Sequence, residues 1–228
     1  MKRNQSGFTL IEIAIVLVII GLLLGGVLKG QELINSAKVK NLAGDFKNVP
    51  VFIYGYQDKF KSLPGDDSAV VAHVAGTLAT TPTTSGGIAC ASNICTGNGT
   101  IDGLWKPANA TDETAVFWQH LRLANLAPGS TAVDIAAGNT YIPKNAVGGD
   151  IGITSASAGP ITGMKGSYIV CSDAIAGKFA RQLDTTLDDG VTTTGSLQVI
   201  AAGTTTPGAA VALATANDDT PYLVCMGF

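Results

Sequence analysis

The chain has 228 residues, 46% hydrophobic and only 14% charged, with 28 glycines; this is enough apolar material for a globular domain with a real core and excludes disorder by composition. Net charge is −3, and eight of the 14 basic side chains fall within the first 61 positions, leaving six basic against 13 acidic residues in the remainder. The acidic remainder argues against general nucleic-acid binding, so no nucleic-acid partner is expected, whereas the basic stretch beside an apolar run points to a membrane surface.

Residues 1–28 read MKRNQSGFTLIEIAIVLVIIGLLLGGVL. Lys2 and Arg3 precede an almost wholly apolar run from Phe8 to Leu28, long enough to cross a bilayer core as a helix with its basic end in the cytoplasm. An ordinary secretory signal would be followed by an Ala-x-Ala-like site. Gly25-Gly26-Val27-Leu28-Lys29-Gly30-Gln31-Glu32 follows instead. Glu12 lies inside the apolar run. A carboxylate at membrane depth costs about 2.5–3.5 kcal/mol on insertion scales and marks a functional position by default. Cleavage between Gly7 and Phe8 would create an α-amino group four residues from Glu12, able to neutralise a Glu12 and best placed to do so on a neighbouring helix.

Gly7-Phe8-Thr9-Leu10-Ile11-Glu12 resembles the prepilin signal of type IV pilins and type II secretion pseudopilins. The resemblance implies cleavage after Gly7 by a membrane prepilin peptidase and N-methylation of Phe8. It also implies that Glu12 sets subunit register through a neighbour's Phe8 amino group. Many members carry a proline near the end of the membrane segment, where this chain has Gly21, Gly25, Gly26 and Gly30. Each glycine weakens a helix by roughly 1 kcal/mol against alanine, so loosening on assembly would take a different route here.

Beyond Gly30, Val39, Leu42, Phe46, Val49, Ile53, Tyr56 and Phe60 repeat at spacings of three and four, a narrow apolar stripe on one helix face. Pro50 should kink this helix, and Ser62-Leu63-Pro64-Gly65 should end it. A second helix is expected over 111–126, capped by Thr111 or Asp112, and a third over 174–187, capped by Ser172 or Asp173. Strands are expected at 167–171, 196–201, 209–214 and 221–226.

Tyr168-Ile169-Val170-Cys171 and Tyr222-Leu223-Val224-Cys225 match each other, which suggests neighbouring strands with Cys171 bonded to Cys225. Cys90 and Cys95 would then pair locally. An even cysteine count behind an export-type N-terminus favours disulfides; a four-cysteine zinc site is the alternative, without any Cys-x-x-Cys spacing to support it.

Asn98, Thr100 and Asp102 place oxygen side chains at alternate positions before Gly103, like the first half of an EF-hand loop, and Asp66 and Asp67 could add carboxylates. The bidentate Glu of that motif is replaced by Asn109, and a simple turn is the competing reading. Some pseudopilins bind calcium in a head loop, so the resemblance keeps calcium as a candidate; no other cofactor is expected. Asp188-Asp189-Gly190 and Asn217-Asp218-Asp219 read as helix ends and turns. His73 and His120 stand without a nucleophile motif, and no phosphate loop or dinucleotide fingerprint occurs, so no enzymatic activity is expected.

The expected fold is α+β and pilin-like: a long N-terminal helix packed on an antiparallel sheet, with extra short helices. The expected organisation is a leader over 1–7, a membrane-spanning and filament-core half-helix over 8–28, an amphipathic half-helix over 29–62 and a globular head over 63–228. The expected function is that of a structural subunit in a homo-oligomeric type IV pilus-like filament. It would start in the bacterial inner membrane, engage the prepilin peptidase and an assembly platform, and end outside the cell. A periplasmic type II secretion pseudopilin and a minor tip pilin binding a surface ligand are the alternatives.

Overall fold

The structure, a computed structural model, describes residues 10–75, 77–78, 87–88, 90, 95–136 and 140–228. They belong to two units, one up to Lys38 and one from Val39 onward. Helix α1, Leu10–Phe60, is the longest element. Its early part is apolar on every side and exposed, with mean hydropathy of 2.8 over its most apolar 18 residues.

From Val39 the same helix becomes one-sided. Val39, Leu42, Phe46, Val49, Ile53 and Tyr56 are all buried, and Phe60 is half-buried at the end of the stripe. Pro50 lies inside α1, is itself buried, and does not end the helix. The stripe joins one large core with Phe117 and Leu121, with Val170, Val199 and Val224 of the sheet, and with Phe179 and Leu183.

After α1 come a single helical turn, α2 (Val70–His73), and two short parallel segments, β1 (Thr77–Leu78) and β2 (Gly87–Ile88). Helix α3 spans Glu113–Leu123. Asp112 stands at its N-cap, but the Asp112 carboxylate accepts from the backbone N–H of Ala108 and Asn109, turning back to the preceding loop instead of capping the helix.

Four strands form the main sheet: β3 (Ile151–Ser155), β4 (Tyr168–Ala176), β5 (Leu197–Ala201) and β6 (Pro221–Gly227), in the antiparallel order β3-β4-β6-β5. Helix α4 (Gly177–Leu187) follows β4 directly. The sheet is buried on both faces. Tyr168, Val170, Tyr222 and Val224 point into the large core, while Ile169, Cys171, Leu223 and Cys225 form a second core with Trp105, Ile161 and Met164. Double burial explains why these strands read as unbroken apolar runs.

Two expectations are corrected, and one strand was missed. The third helix begins at Gly177, because β4 keeps pairing with β6 as far as Ala176↔Pro221 across a bulge between Ser172 and Ile175; Ser172 and Asp173 therefore sit in a strand and cap nothing. Residues 209–214 form no strand. Val211 N–H donates to the Val199 carbonyl and Leu213 N–H to Thr192 Oγ1, a run held alongside β5 without a ladder. Strand β3 was not foreseen. Its sequence, Ile-Gly-Ile-Thr-Ser, carries little apolar signal, and Gly152 is there because a Cβ would strike the Trp105 carbonyl, which lies directly against it.

Candidate functional site

Gly7 and Phe8, the expected processing pair, lie outside the described residues. Glu12 occupies the first turn of α1 at an exposed position, with Leu10 and Ile11 exposed beside it. The outward apolar side chains extend from Leu10 through Leu28, with Leu33 and Ile34 beyond.

In the head, the cysteines form Cys90–Cys95 and Cys171–Cys225 disulfides, with Cα separations of 5.8 and 4.1 Å. Cys171 and Cys225 are direct register partners of β4 and β6, and both are fully buried. A four-cysteine zinc centre is thereby ruled out, since the pairs lie in different cores and no thiol is free.

The calcium candidates divide between two networks. Asp66, 3% exposed, accepts from the backbone N–H of Gly97 (2.6 Å), Asn98 (3.1 Å) and Gly99 (2.6 Å). In the loop itself, Asn98 Oδ1 accepts from Thr100, and both Asn98 Nδ2 and Thr100 Oγ1 donate to Asp102. Glu113, from the first turn of α3, accepts from Cys95 N–H and Asp102 N–H at 3.0 and 2.7 Å. Loop 95–102 is thus held by two buried carboxylates, and Asp66 is turned into backbone amides that compete with a cation for its oxygens.

Asp67 does not converge on that loop. Its carboxylate accepts from Tyr56 Oη at 2.7 Å and from the Ala69 N–H at 3.0 Å, and it pairs with His73 Nδ1 at 2.7 Å. Burial alone would raise Asp67, but the hydrogen bonds from His73, Tyr56 and Ala69 outweigh it and hold the carboxyl below its usual range. Sequence reasoning missed this Tyr56–Asp67–His73 cluster; its only trace is Tyr56 within the buried stripe, eleven residues before an acidic side chain.

His120 is wholly buried in α3. Its Nδ1 accepts from Gly65 N–H at 3.0 Å, which places its proton on Nε2, facing Cys90 Sγ at 3.4 Å. Burial pushes its pKa down to about 4, so the imidazole is neutral near pH 7. It is a packing element beside the disulfide, and among the described residues its ring nitrogens meet Gly65 N–H and the two sulfurs of that bridge. Arg181 pairs with Asp218, and Lys178 pairs with Asp219 at 2.8 Å, fastening α4 to the turn before β6. A cleft of about 190 Å³ between α1 and α3 is walled by Val49, Phe52, Trp118, Pro128, Pro143 and Ile151. Asp45 stands at its edge, pushed up to about 6 by burial.

The polar groups named above, all among the described residues, fasten loops and helix ends of the head. A comparison with curated proteins and with solved structures finds no match to the chain. Residues 2–28 match the prokaryotic N-terminal methylation motif, the signature of type IV pilins and pseudopilins, which points to the precursor of a structural subunit and fits a membrane-anchored chain.

Proposed function

We propose that this protein is a subunit of a type IV pilus-like filament, made as a membrane-inserted prepilin, cut between Gly7 and Phe8, and assembled through its N-terminal helix. The observation that carries this reading is the methylation motif over 2–28, together with a helix on which large apolar side chains from Leu10 to Leu28 are exposed. Such a surface needs lipid before assembly and neighbouring helices after it. The exchange is nearly neutral in apolar burial, so specificity must come from elsewhere. Glu12 supplies it: a carboxylate in the apolar layer attracts a neighbour's Phe8 α-amino group, and that pair fixes the stagger between subunits. The large, weakly charged head, rich in Thr, Ser, Ala and Gly, suits exposure on a filament outside the cell.

The test is to shear intact cells, collect filaments and read the N-terminal peptide by mass spectrometry. Abundant peptide beginning at N-methylated Phe8 in the sheared fraction supports the pilus subunit. A processed chain confined to the envelope overturns it in favour of a periplasmic pseudopilin. Trace amounts that co-purify with a far more abundant pilin overturn it in favour of a minor tip subunit. A chain that keeps Met1–Gly7 beside an active prepilin peptidase overturns assembly altogether.

A further inference from the structure

The C-terminal end of α4 carries an arrangement that the filament function does not use. Asp184, Asp188 and Asp189 bring one carboxylate oxygen each to within 4.8 Å of one another. Asp184 lies in the last turn of α4 and Asp188 at its C-cap, the negative end of the helix dipole, where cations are the favoured neighbours. That turn contains no basic residue, and the two basic residues of α4, Lys178 and Arg181, are committed to Asp219 and Asp218.

The decisive observation is Asp184. It is 0% exposed, and among the described residues its Oδ1 accepts a 3.2 Å hydrogen bond from Gly190 N–H while its buried Oδ2 has no partner. A buried carboxylate with an unpartnered oxygen, on a side chain grouped with two further carboxylates, requires a positive charge or a proton.

We infer that Asp184, Asp188 and Asp189 form a binding site for a hard divalent cation, with Ca²⁺ as the fitting ion. All three side-chain donors are oxygen, which selects alkaline-earth ions over zinc or copper. An ion central to three oxygens no more than 4.8 Å apart stands at most about 2.8 Å from each, close to the 2.3–2.6 Å of Ca–O bonds. Mg²⁺ demands shorter bonds and stricter octahedral geometry, which carboxylates held in place by the fold supply less well.

The other contacts set the carboxylates in position. Asp188 Oδ2 accepts from Leu197 N–H at 2.8 Å, while Asp189 accepts from Val191 N–H and Thr194 Oγ1, both at 2.8 Å. The loop closes tightly enough that a Cβ on Gly195, whose φ is +75°, would collide with Asp188 Oδ2. Asp189 is exposed, which leaves that side open for water to complete the coordination shell. A bound ion would fasten the end of α4 to the start of β5.

The experiment uses the detergent-solubilised full-length protein, stripped with chelator and titrated with CaCl₂ by calorimetry and by thermal melting. Saturable binding with a Kd on the order of 10⁻⁴–10⁻³ M, the range of extracellular calcium modules, and a Tm raised by several degrees are expected. Both effects should vanish in Asp188→Asn/Asp189→Asn, which changes exposed or half-exposed groups and leaves the core intact. They should persist in Asp102→Asn, which separates this site from loop 98–102. Two results overturn the inference: calcium effects that survive Asp188→Asn/Asp189→Asn, or no calcium effect together with a Tm that rises on acidification and loses that rise in Asp184→Asn. The second would mean that a shared proton, not a metal, resolves the cluster.

Discussion

Replacing Cys171 and Cys225 together by alanine should cost the head far more than replacing Cys90 and Cys95. The two bridges differ chiefly in the chain they close: 54 positions for Cys171–Cys225 and five for Cys90–Cys95. Loop-closure entropy then assigns about 4 kcal/mol to the long bridge and about 2 kcal/mol to the short one. Packing widens the gap, because Cys171 and Cys225 are both fully buried in the core that holds Trp105, Ile161 and Leu223. For a chain of this size the long bridge is worth about 10 °C in Tm. Thermal melts of the oxidised full-length protein and its two double variants, in one detergent, measure the difference. If removing Cys90–Cys95 lowers Tm as much as removing Cys171–Cys225, chain closure is not what the inter-strand bridge supplies, and the reasoning fails.

Gly152→Ala should be among the most damaging single changes in the head, costing about 3 kcal/mol or more, because the new Cβ would be driven into the Trp105 carbonyl; a Tm within two degrees of wild type would show that the Trp105 segment can move off the sheet. His120, pushed down to about 4 in the fold from 6.5, contributes stability that is full above pH 6.5 and is lost as pH falls toward 4, about 3 kcal/mol across that window. Asp184, pushed up to about 6, acts in the opposite sense, so the measurable quantity is the difference in pH dependence between wild type and His120→Gln, which keeps an acceptor for Gly65 N–H. An identical pH profile for the two proteins would refute the buried neutral imidazole. Glu12→Gln should insert and be processed normally yet leave the sheared fraction empty, as read by immunoblot of cells and filaments; filaments at wild-type yield would remove Glu12 from the assembly contact.

Legibility followed the kind of constraint on each segment. The stripe from Val39 to Tyr56 was readable because a single helix face packs on one core, and period then survives in sequence. The twin Tyr-x-x-Cys runs were readable because β4 and β6 pair in register, Cys171 opposite Cys225, and are apolar on both faces. Strand β3 was not, because its place rests on what it lacks: Gly152 admits the Trp105 backbone, 47 residues earlier in the chain. The start of α4 was misread for a related reason. Ala174 sits at φ +57° in a bulge, and pairing with β6 carries the strand past the point where local helix signals begin. The Tyr56–Asp67–His73 cluster joins residues from α1, a turn and α2, and nothing in their spacing announces the contact.

The head's polar interior supports a structural role by the way its charges are used. Asp66 is surrounded by backbone amides, Asp67 by Tyr56, His73 and an amide, Glu113 by three amides, and Arg122 donates to the carbonyls of Pro128, Ser130 and Tyr141. Each buried charge ends a helix or fastens a loop, which is how polar groups serve a fold that must hold long, glycine-rich connections in place. A catalytic site arranges the reverse: groups with lone pairs or protons kept free for a substrate and aimed at a common point. Among the described residues, the carboxylates at the end of α4 come nearest to that arrangement, and three like charges of one chemical type make a ligand set for a cation, not an acid–base pair. Outside the head, exposed large apolar side chains run along α1 from Leu10 to Ile34, and that surface is where the proposed assembly is to be tested.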